Sequence, residues 1–303
     1  MIMKRPLSIL ILIAAAIFCG CNKFAPVCDS AYVCASFDIS LGNTTKAGID
    51  GDGAAGHVNR CILQIWKGDE IFKTEVRTAP EGTRRFSFKG VLLEPDQTYD
   101  FLFWADCGTA EGADLYYSTQ SLKNVSLIDP SIGNNDALDA FCGGMQECDI
   151  ESEYEADLIL RRPLAQLNVI TADLPDLSTL PLAAEFIPKT VSYSYTACTS
   201  FDVREGKSVG EPLLISIKDA PVYGETQPAG ECTLAMAYLF PVEEESVSEL
   251  ALIICNVNGS SISSSYDNIP FKTDWRTNVI GSLLTTKGDI SVHLNPLFEQ
   301  EIL

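Results

Sequence analysis

Hydrophobic and polar residues alternate along much of this chain, in short stretches separated by turn residues. In residues 31–39, for example, Val33, Ala35, Phe37 and Ile39 fall on one face of an extended chain. Because successive side chains of a strand point to opposite faces, this period of two predicts a half-buried β-strand. The same pattern predicts further strands at 61–67, 70–77, 86–93 and 99–105.

Strand-like stretches return in the second half of the chain after a long interruption. Residues 107–157 are rich in Gly, Asn, Asp and Ser, which predicts an extended excursion and then a crossing into a second domain. Pro163 predicts a bulge or sheet edge, because proline cannot donate to a ladder. The later strands are predicted at 158–162, 164–171, 191–196, 213–218, 232–240, 249–257, 261–267, 271–280 and 289–295.

No stretch shows a helical period, so the predicted fold is all-β. The spacing of the strands and turns is typical of antiparallel sandwiches. Without its first 20 residues the chain has 283 of its 303 residues, more than one sandwich usually takes. We therefore expect two tandem antiparallel β-sandwich domains, at 31–157 and 158–303.

The first residues have the order of a secretory signal, with a basic pair at Lys4 and Arg5, an apolar run at 7–18 and Gly20 before Cys21. The run is shorter than the roughly 20 apolar residues that span a bilayer. Glycine followed by cysteine resembles a bacterial lipobox. We expect a signal peptide at 1–20, a lipidated Cys21 and a tether at 21–30. Ordinary secretion with a plain Cys21 thiol is the alternative.

The net charge of the chain limits the classes of molecule that we expect it to bind. The formal net charge is −20, and loss of Lys4 and Arg5 with the signal leaves −22. A body this acidic is repelled by nucleic acid and by anionic lipid head groups. We therefore expect no nucleic-acid partner and an attachment to outer-membrane lipid through the acyl chains of Cys21.

Nine of the eleven cysteines remain once Cys19 and Cys21 are set aside. Nine is odd, so at least one cysteine is unpaired or pairs between molecules. Cys142 and Cys148 flank two glycines in a loop-like stretch, which makes a local disulfide one interpretation. Six of the others are interpreted as small buried hydrophobic residues in strands: Cys34, Cys61, Cys107, Cys198, Cys232 and Cys255.

The sequence holds few candidates for catalysis. There are two histidines, His57 and His293, and neither lies in a nucleophile, phosphate-binding or zinc motif. Residues 50–53 read Asp-Gly-Asp-Gly, but the glutamate that closes a calcium loop is missing, so turn chemistry is the better interpretation. We expect no enzyme activity, no metal and no cofactor.

Aromatic side chains are candidates for sugar-binding platforms, because rings present flat apolar faces. Trp66 and Trp104 alternate with core-like residues, which predicts burial. Tyr116 and Tyr117 lie near a loop and are predicted to be exposed. Trp275 is a further candidate platform.

Several motifs in combination resemble the fimbrillin-like lipoproteins of Bacteroides and its relatives, and more narrowly the DUF6562 family. The resemblance covers residues 31–298 and implies two transthyretin-like sandwiches with a role as a pilus shaft, tip or anchor subunit. It also implies assembly by β-strand addition at a sheet edge. The motifs are the lipobox at 20–21, the loop at 51–53, YDFLFWA at 99–105, LRRPLAQLN at 160–168 and DWRTNVIG at 274–281.

One position departs from the family pattern. Many family precursors are cut by an arginine-specific protease in the loop after the first strand, and the resemblance places Lys46 there. Lysine in place of arginine predicts that the loop stays whole and that the first strand stays joined to the lipid. Arg84 and Arg85 are an alternative site, but they adjoin a strand and are better interpreted as edge charges.

The resulting hypothesis is a non-enzymatic, lipid-anchored pilus anchor, accessory subunit or adhesin that partners other pilus subunits. The alternative is a surface lipoprotein that binds a glycan or another ligand on a host or bacterial surface. We expect an outer-membrane lipoprotein at the cell surface. The absence of acidic residues in 22–25 leaves a periplasm-facing location open.

Overall fold

The computed structural model describes residues 32–42, 55–175, 186–223, 230–284 and 289–296. In these ranges the chain forms nineteen β-strands, one 3₁₀-helix at Asp136–Leu138 and no α-helix. The predicted all-β fold of tandem transthyretin-like antiparallel sandwiches is confirmed. Cys21, Lys46 and the predicted signal peptide lie outside the described residues. No helix within the described ranges is long and apolar enough to cross a membrane.

The first sandwich packs a three-stranded sheet against a four-stranded sheet. The three-stranded sheet has the order β4 (Arg85–Leu93), β1 (Val33–Leu41) and β9 (Tyr154–Leu160). The other has the order β3 (Glu70–Thr78), β2 (Arg60–Lys67), β5 (Gln97–Asp106) and β8 (Phe141–Ile150). Strand β1 runs antiparallel to β4 and parallel to β9, so it is the central strand of its sheet.

Strand β1 supplies a continuous part of the first core. Ala35, Phe37 and Ile39 are each at most 1% exposed, as their predicted inward face requires. The Phe37 ring centroid lies 4.8 Å from that of Phe101 and 5.5 Å from that of Phe103. Burial of one large apolar side chain stabilises a fold by about 1.5–3 kcal/mol. The first sandwich therefore depends on β1 for its packing.

The second sandwich consists of two four-stranded sheets. One has the order β15 (Gly230–Leu239), β10 (Ala165–Leu174), β18 (Trp275–Gly281) and β19 (Ile290–Pro296). The other has the order β14 (Leu213–Pro221), β11 (Pro188–Ala197), β16 (Glu245–Asn256) and β17 (Ser261–Lys272). Strand β10 runs antiparallel to β15 and parallel to β18.

The two sandwiches repeat one topology. β10 occupies the place of β1, with an antiparallel neighbour on one side and a parallel neighbour on the other. One strand breaks the repeat, because β19 pairs with the outer side of β18. The equivalent strand β9 forms the edge of its sheet within the described chain.

A small fifth sheet joins the two halves of the chain. Its order is β13 (Lys207–Val209), β12 (Ser200–Asp202), β7 (Val125–Leu127) and β6 (Tyr117–Ser118). The first two strands come from the second sandwich and the last two from the excursion after β5. Beneath this sheet lies a third hydrophobic core with residues from both halves, including Trp104, Tyr117, Phe201 and Phe240.

The predicted excursion at 107–157 is too long, because β8 and part of β9 lie inside it. The sequence pattern did not predict β8, because Gly143 and Gly144 interrupt its apolar alternation. A Cβ atom at Gly144 would lie 2.8 Å from a Leu102 methyl carbon and 2.9 Å from the Phe101 carbonyl oxygen, so close pairing with β5 requires glycine. Strand β9 also crosses the predicted division after residue 157 and pairs with β1 of the first sandwich.

The predicted strand at 271–280 is in fact the end of β17, a tight turn and β18. Asp274 lies at the turn with a φ of 63°, in the left-handed region that aspartate tolerates better than most residues. The hydrophobic alternation continues on both sides of this turn, so the pattern alone does not reveal it.

Candidate functional site

Two of the motifs that carry the family resemblance pair with each other. The motif at 160–168 leads into β10 and the motif at 274–281 forms β18, and these strands are parallel neighbours. Asn168 Nδ2 donates to Asn278 Oδ1 at 3.1 Å, and Arg276 Nε donates to Gln166 Oε1 at 2.6 Å. The polar residues of both motifs are therefore partners across one ladder.

The N-terminal ends of these motifs border a cleft of about 800 Å³ between the two sandwiches. Strands and loops from both halves of the chain surround it, as is common for ligand sites. The residues that line it are Cys142, Gly143, Arg161, Arg162, Pro163, Phe201, Val203, Gly206, Lys207, Ser208, Val242, Glu243, Glu244, Lys272, Thr273, Asp274 and Trp275. Pro163, predicted at a bulge or edge, lies in the linker between β9 and β10.

A buried ion pair forms one side of the cleft. Arg162 Nε and Nη2 donate to the two Asp139 carboxylate oxygens at 2.8 and 3.0 Å, and the guanidinium lies 4.4 Å from the Phe141 ring centroid. Burial lowers the pKa of Arg162, but the attraction of Asp139 outweighs it and raises the pKa above its ordinary value. Asp139 also accepts from the Ala55 backbone at 3.0 Å. This ion pair connects the segment between β9 and β10 to the segment between β5 and β8.

Trp275 also lines the cleft. Its side chain is half-buried, and Lys272 Nζ lies 4.7 Å from its ring centroid. Lys272 also pairs with Glu245, which holds the ammonium in place. The tight turn at Asp274 brings Lys272 and Trp275 together from two consecutive strands. The sequence indicates Trp275 as a candidate platform, but no local pattern indicates its contact with Lys272.

The remaining aromatic candidates lie in the third core. Trp66 is 6% exposed and Trp104 is fully buried, so both predictions of burial are confirmed. The prediction that Tyr117 is exposed is wrong: it is fully buried, and its hydroxyl donates to the Leu138 carbonyl at 2.5 Å. Tyr116 is half-buried and packs against the same core. The prediction was wrong because it rested on the loop-like sequence beside Tyr117, and in the structure that stretch folds back over the first sandwich.

Polar contacts also join the halves. Arg204 Nε, from the turn between β12 and β13, donates to Asp100 Oδ2 of β5 at 2.7 Å. Asp100 in turn accepts from the Glu147 backbone at 2.9 Å. The Asp100 carboxylate and the Arg204 guanidinium are far apart in sequence, and no local pattern marks them as partners.

The cysteines differ from the predictions at three positions. Cys142 and Cys148 are free thiols, so the predicted local disulfide does not form in the structure. Both lie on β8, opposite Trp104 and Tyr99 of β5. Six positions of extended strand span roughly 20 Å, whereas a disulfide needs Cα atoms closer than about 7 Å. Cys34 was interpreted as a small buried hydrophobic residue in a strand, whereas in the structure it is disulfide-bonded.

Neither histidine lies in an arrangement that suggests catalysis. His57 is near Glu81, with Nδ1 3.6 Å from a carboxylate oxygen, and His293 is exposed on β19. Among the described residues, no cluster of three or more His, Cys, Asp or Glu side chains is placed to hold a metal ion.

Open sheet edges are the second candidate surface. Strand β9 carries the exposed side chains Glu155, Asp157 and Ile159, the last of them 65% exposed. Strand β14 forms another edge and exposes Leu213 and Leu214. The backbone groups of an edge strand form a template on which another chain can add a strand.

Many solved structures are similar to this chain, among them the following three. A candidate cell adhesion protein from Parabacteroides distasonis is 10% identical, with a TM-score of 0.53 over 88% of this chain and 98% of its own. A candidate cell adhesion protein from Bacteroides uniformis is 14% identical, with a TM-score of 0.49 over 88% and 99%. The fimbrial anchor protein Mfa2 from Porphyromonas gingivalis is 12% identical, with a TM-score of 0.47 over 86% and 97%.

The likeness to the Parabacteroides distasonis protein supports the fold of both sandwiches together, since it spans nearly that whole chain. No curated protein matches the chain. The model of one family, described as a family of unknown function, matches residues 32–303, which is most of the sequence. This chain is therefore a member of the DUF6562 family.

Proposed function

We propose that this protein is a non-enzymatic, lipid-anchored component of the cell envelope that serves as an anchor, accessory subunit or adhesin of a fimbrillin-like pilus. Acylated Cys21 holds it in the outer membrane, and the sandwiches face the cell surface. The observation that carries the proposal is the pair of fused sandwiches with open edge strands, in a chain whose leader ends in a lipobox-like Gly20–Cys21.

The edges supply the assembly surface in this proposal. A neighbouring subunit adds a strand to an open edge, where backbone hydrogen bonds give affinity and side-chain pockets give specificity. The fused halves suit a part that carries mechanical force, because the small fifth sheet and the third core connect the sandwiches through buried contacts.

We expect the protein to be recovered with filaments sheared from the cell surface. Immunoblots of the sheared and cell-bound fractions measure this, with a periplasmic protein as the control for leakage. An anchor subunit remains mostly cell-bound and appears at the filament base in immunogold images. Absence from both the sheared filaments and their bases, in cells that express the protein, would contradict the pilus role.

A second expectation concerns Lys46. The loop stays uncut, so the mature protein begins at acylated Cys21 and retains β1. In a host that has the arginine-specific protease, Lys46→Arg creates a cleavage site and yields a shorter chain that begins at Ala47. Mass spectrometry of the mature N-terminus measures both, and Arg85→Lys is the matched control that leaves the product unchanged. Wild-type protein that begins at Ala47 would refute the expectation.

A surface glycan-binding lipoprotein is the second candidate function. The cleft lined by Trp275 favours it, because this is where a half-buried indole borders a ligand-sized space. The two functions are compatible, since an adhesin needs a ligand.

A further inference from the structure

We propose that the cleft between the sandwiches is a saccharide-binding site for an uncharged glycan, with Trp275 as its stacking platform. Three observations carry this proposal. They are the volume and position of the cleft, the partial exposure and hydrogen bonding of the Trp275 indole, and the balance of charges among the side chains that line the cleft. The proposal does not depend on filament assembly, because the site lies within one chain.

The cleft has the dimensions of a ligand site. Its volume of about 800 Å³ lies within the range of roughly 300–1,000 Å³ that small-molecule pockets occupy. Its walls come from both halves of the chain, and the buried Arg162–Asp139 pair and the Arg204–Asp100 contact hold those halves together. A site built on such fixed walls needs little reorganisation to bind, which favours affinity.

Trp275 differs from the other two tryptophans of the chain. Trp66 and Trp104 belong to the third core, whereas Trp275 is half-buried at the cleft. No group in the described part of the chain accepts a hydrogen bond from its indole N–H. Because a pyranose ring has an apolar face of C–H groups and a rim of hydroxyls, an indole with a free N–H can both stack on it and donate to it.

The charges on the walls indicate an uncharged ligand. Asp139 neutralises Arg162 and Glu245 neutralises Lys272. The other charged side chains that line the cleft are two cations (Arg161 and Lys207) and three anions (Glu243, Glu244 and Asp274). The cleft is thus nearly neutral, in a protein whose formal net charge is −20. Side chains of both signs, with the Ser208 and Thr273 hydroxyls, donate to and accept from sugar hydroxyls. The surrounding negative field repels a polyanion, and the cleft offers a polycation an excess of only one carboxylate.

The test is affinity electrophoresis of the full mature protein, extracted in a polyoxyethylene detergent so that no detergent sugar competes. Gels contain one neutral polysaccharide each (dextran, glycogen, yeast mannan or galactomannan) or an acidic one (polygalacturonate or hyaluronan). We expect at least one neutral polysaccharide to retard the protein. Binding should also change the intrinsic fluorescence, and this change should come from Trp275 because Trp66 and Trp104 are buried.

Matched variants assign the binding to the cleft. Trp275→Ala should lower the affinity measured from the retardation by at least roughly tenfold, as truncation of a central tryptophan does in many interfaces. Trp275→Phe keeps a ring and should retain part of the affinity, without the fluorescence change. Tyr32→Ala removes an exposed aromatic residue away from the cleft and should bind as the wild type does. Circular dichroism confirms that each variant is folded.

Three results would overturn the proposal. They are retardation by none of the neutral polysaccharides, equal weakening by Trp275→Ala and Tyr32→Ala, and binding confined to acidic polysaccharides. None of these results bears on recovery with filaments, so failure of the saccharide site and failure of the pilus role are told apart.

Discussion

Replacement of Cys21 by serine is expected to abolish incorporation of radiolabelled palmitate into the protein and to move the mature chain from the detergent phase to the aqueous phase. Each buried methylene of an acyl chain contributes about 0.8 kcal/mol, so two or more chains hold a protein on a membrane stably. The protein body has no compensating attraction, because its charge after signal removal is −22 and anionic lipid repels it. The effect should be close to all-or-none.

Cys148→Ser is the matched control, because Cys148 is a half-buried free thiol on β8. It should leave both labelling and partition unchanged. The palmitate label decides the outcome, since an uncut apolar leader also favours the detergent phase. Equal labelling of Cys21→Ser and wild type would rule out lipidation at Cys21.

Replacement of Asp139 by alanine is expected to lower the free energy of unfolding by about 3–5 kcal/mol, the usual cost of leaving one buried charge without its partner. Arg162 remains charged and loses the two hydrogen bonds that Asp139 accepts at 2.8 and 3.0 Å, while the carboxylate oxygen Oδ1 of Asp274 lies 4.0 Å away. The Ala55 backbone N–H also loses its acceptor. Urea unfolding followed by circular dichroism measures the change.

Two further variants make this expectation specific. Asp38→Ala removes one partner of the exposed Asp38–Lys89 pair and should cause no measurable change, because water solvates the remaining ammonium. Replacing both members, as Asp139→Ala with Arg162→Met, should recover part of the loss because no buried charge is left alone. If Asp139→Ala and Asp38→Ala unfold at the same urea concentration, the buried pair is not important for stability.

The sequence was sufficient for most strands, because alternation is a local property. In β1, Ala35, Phe37 and Ile39 point inward as predicted, since the pleat alone decides which face each occupies. The same holds for β2 and β5. The pattern failed for β8, where Gly143 and Gly144 interrupt the alternation and a Cβ atom at Gly144 would lie 2.9 Å from the Phe101 carbonyl oxygen.

The candidate site was much less predictable. Tryptophan at position 275 was recognisable as a possible platform. Its partner Lys272 and the Arg162 side chain that also lines the cleft come into place only through the turn at Asp274 and the pairing of β10 with β18. The burial of Tyr117 likewise depends on a segment that folds back over the first sandwich.

By itself, the sequence determined that the chain is all-β, which faces of its strands are apolar, that its first residues resemble a lipoprotein signal and that its net charge is strongly negative. These are properties of short segments or of composition. Only the tertiary structure decided that the sandwiches repeat one topology, that a shared sheet and core join them, and that their junction leaves a cleft beside Trp275. Such features depend on contacts between residues far apart in the chain, and hydrophobic periodicity carries no information about which distant strands become neighbours.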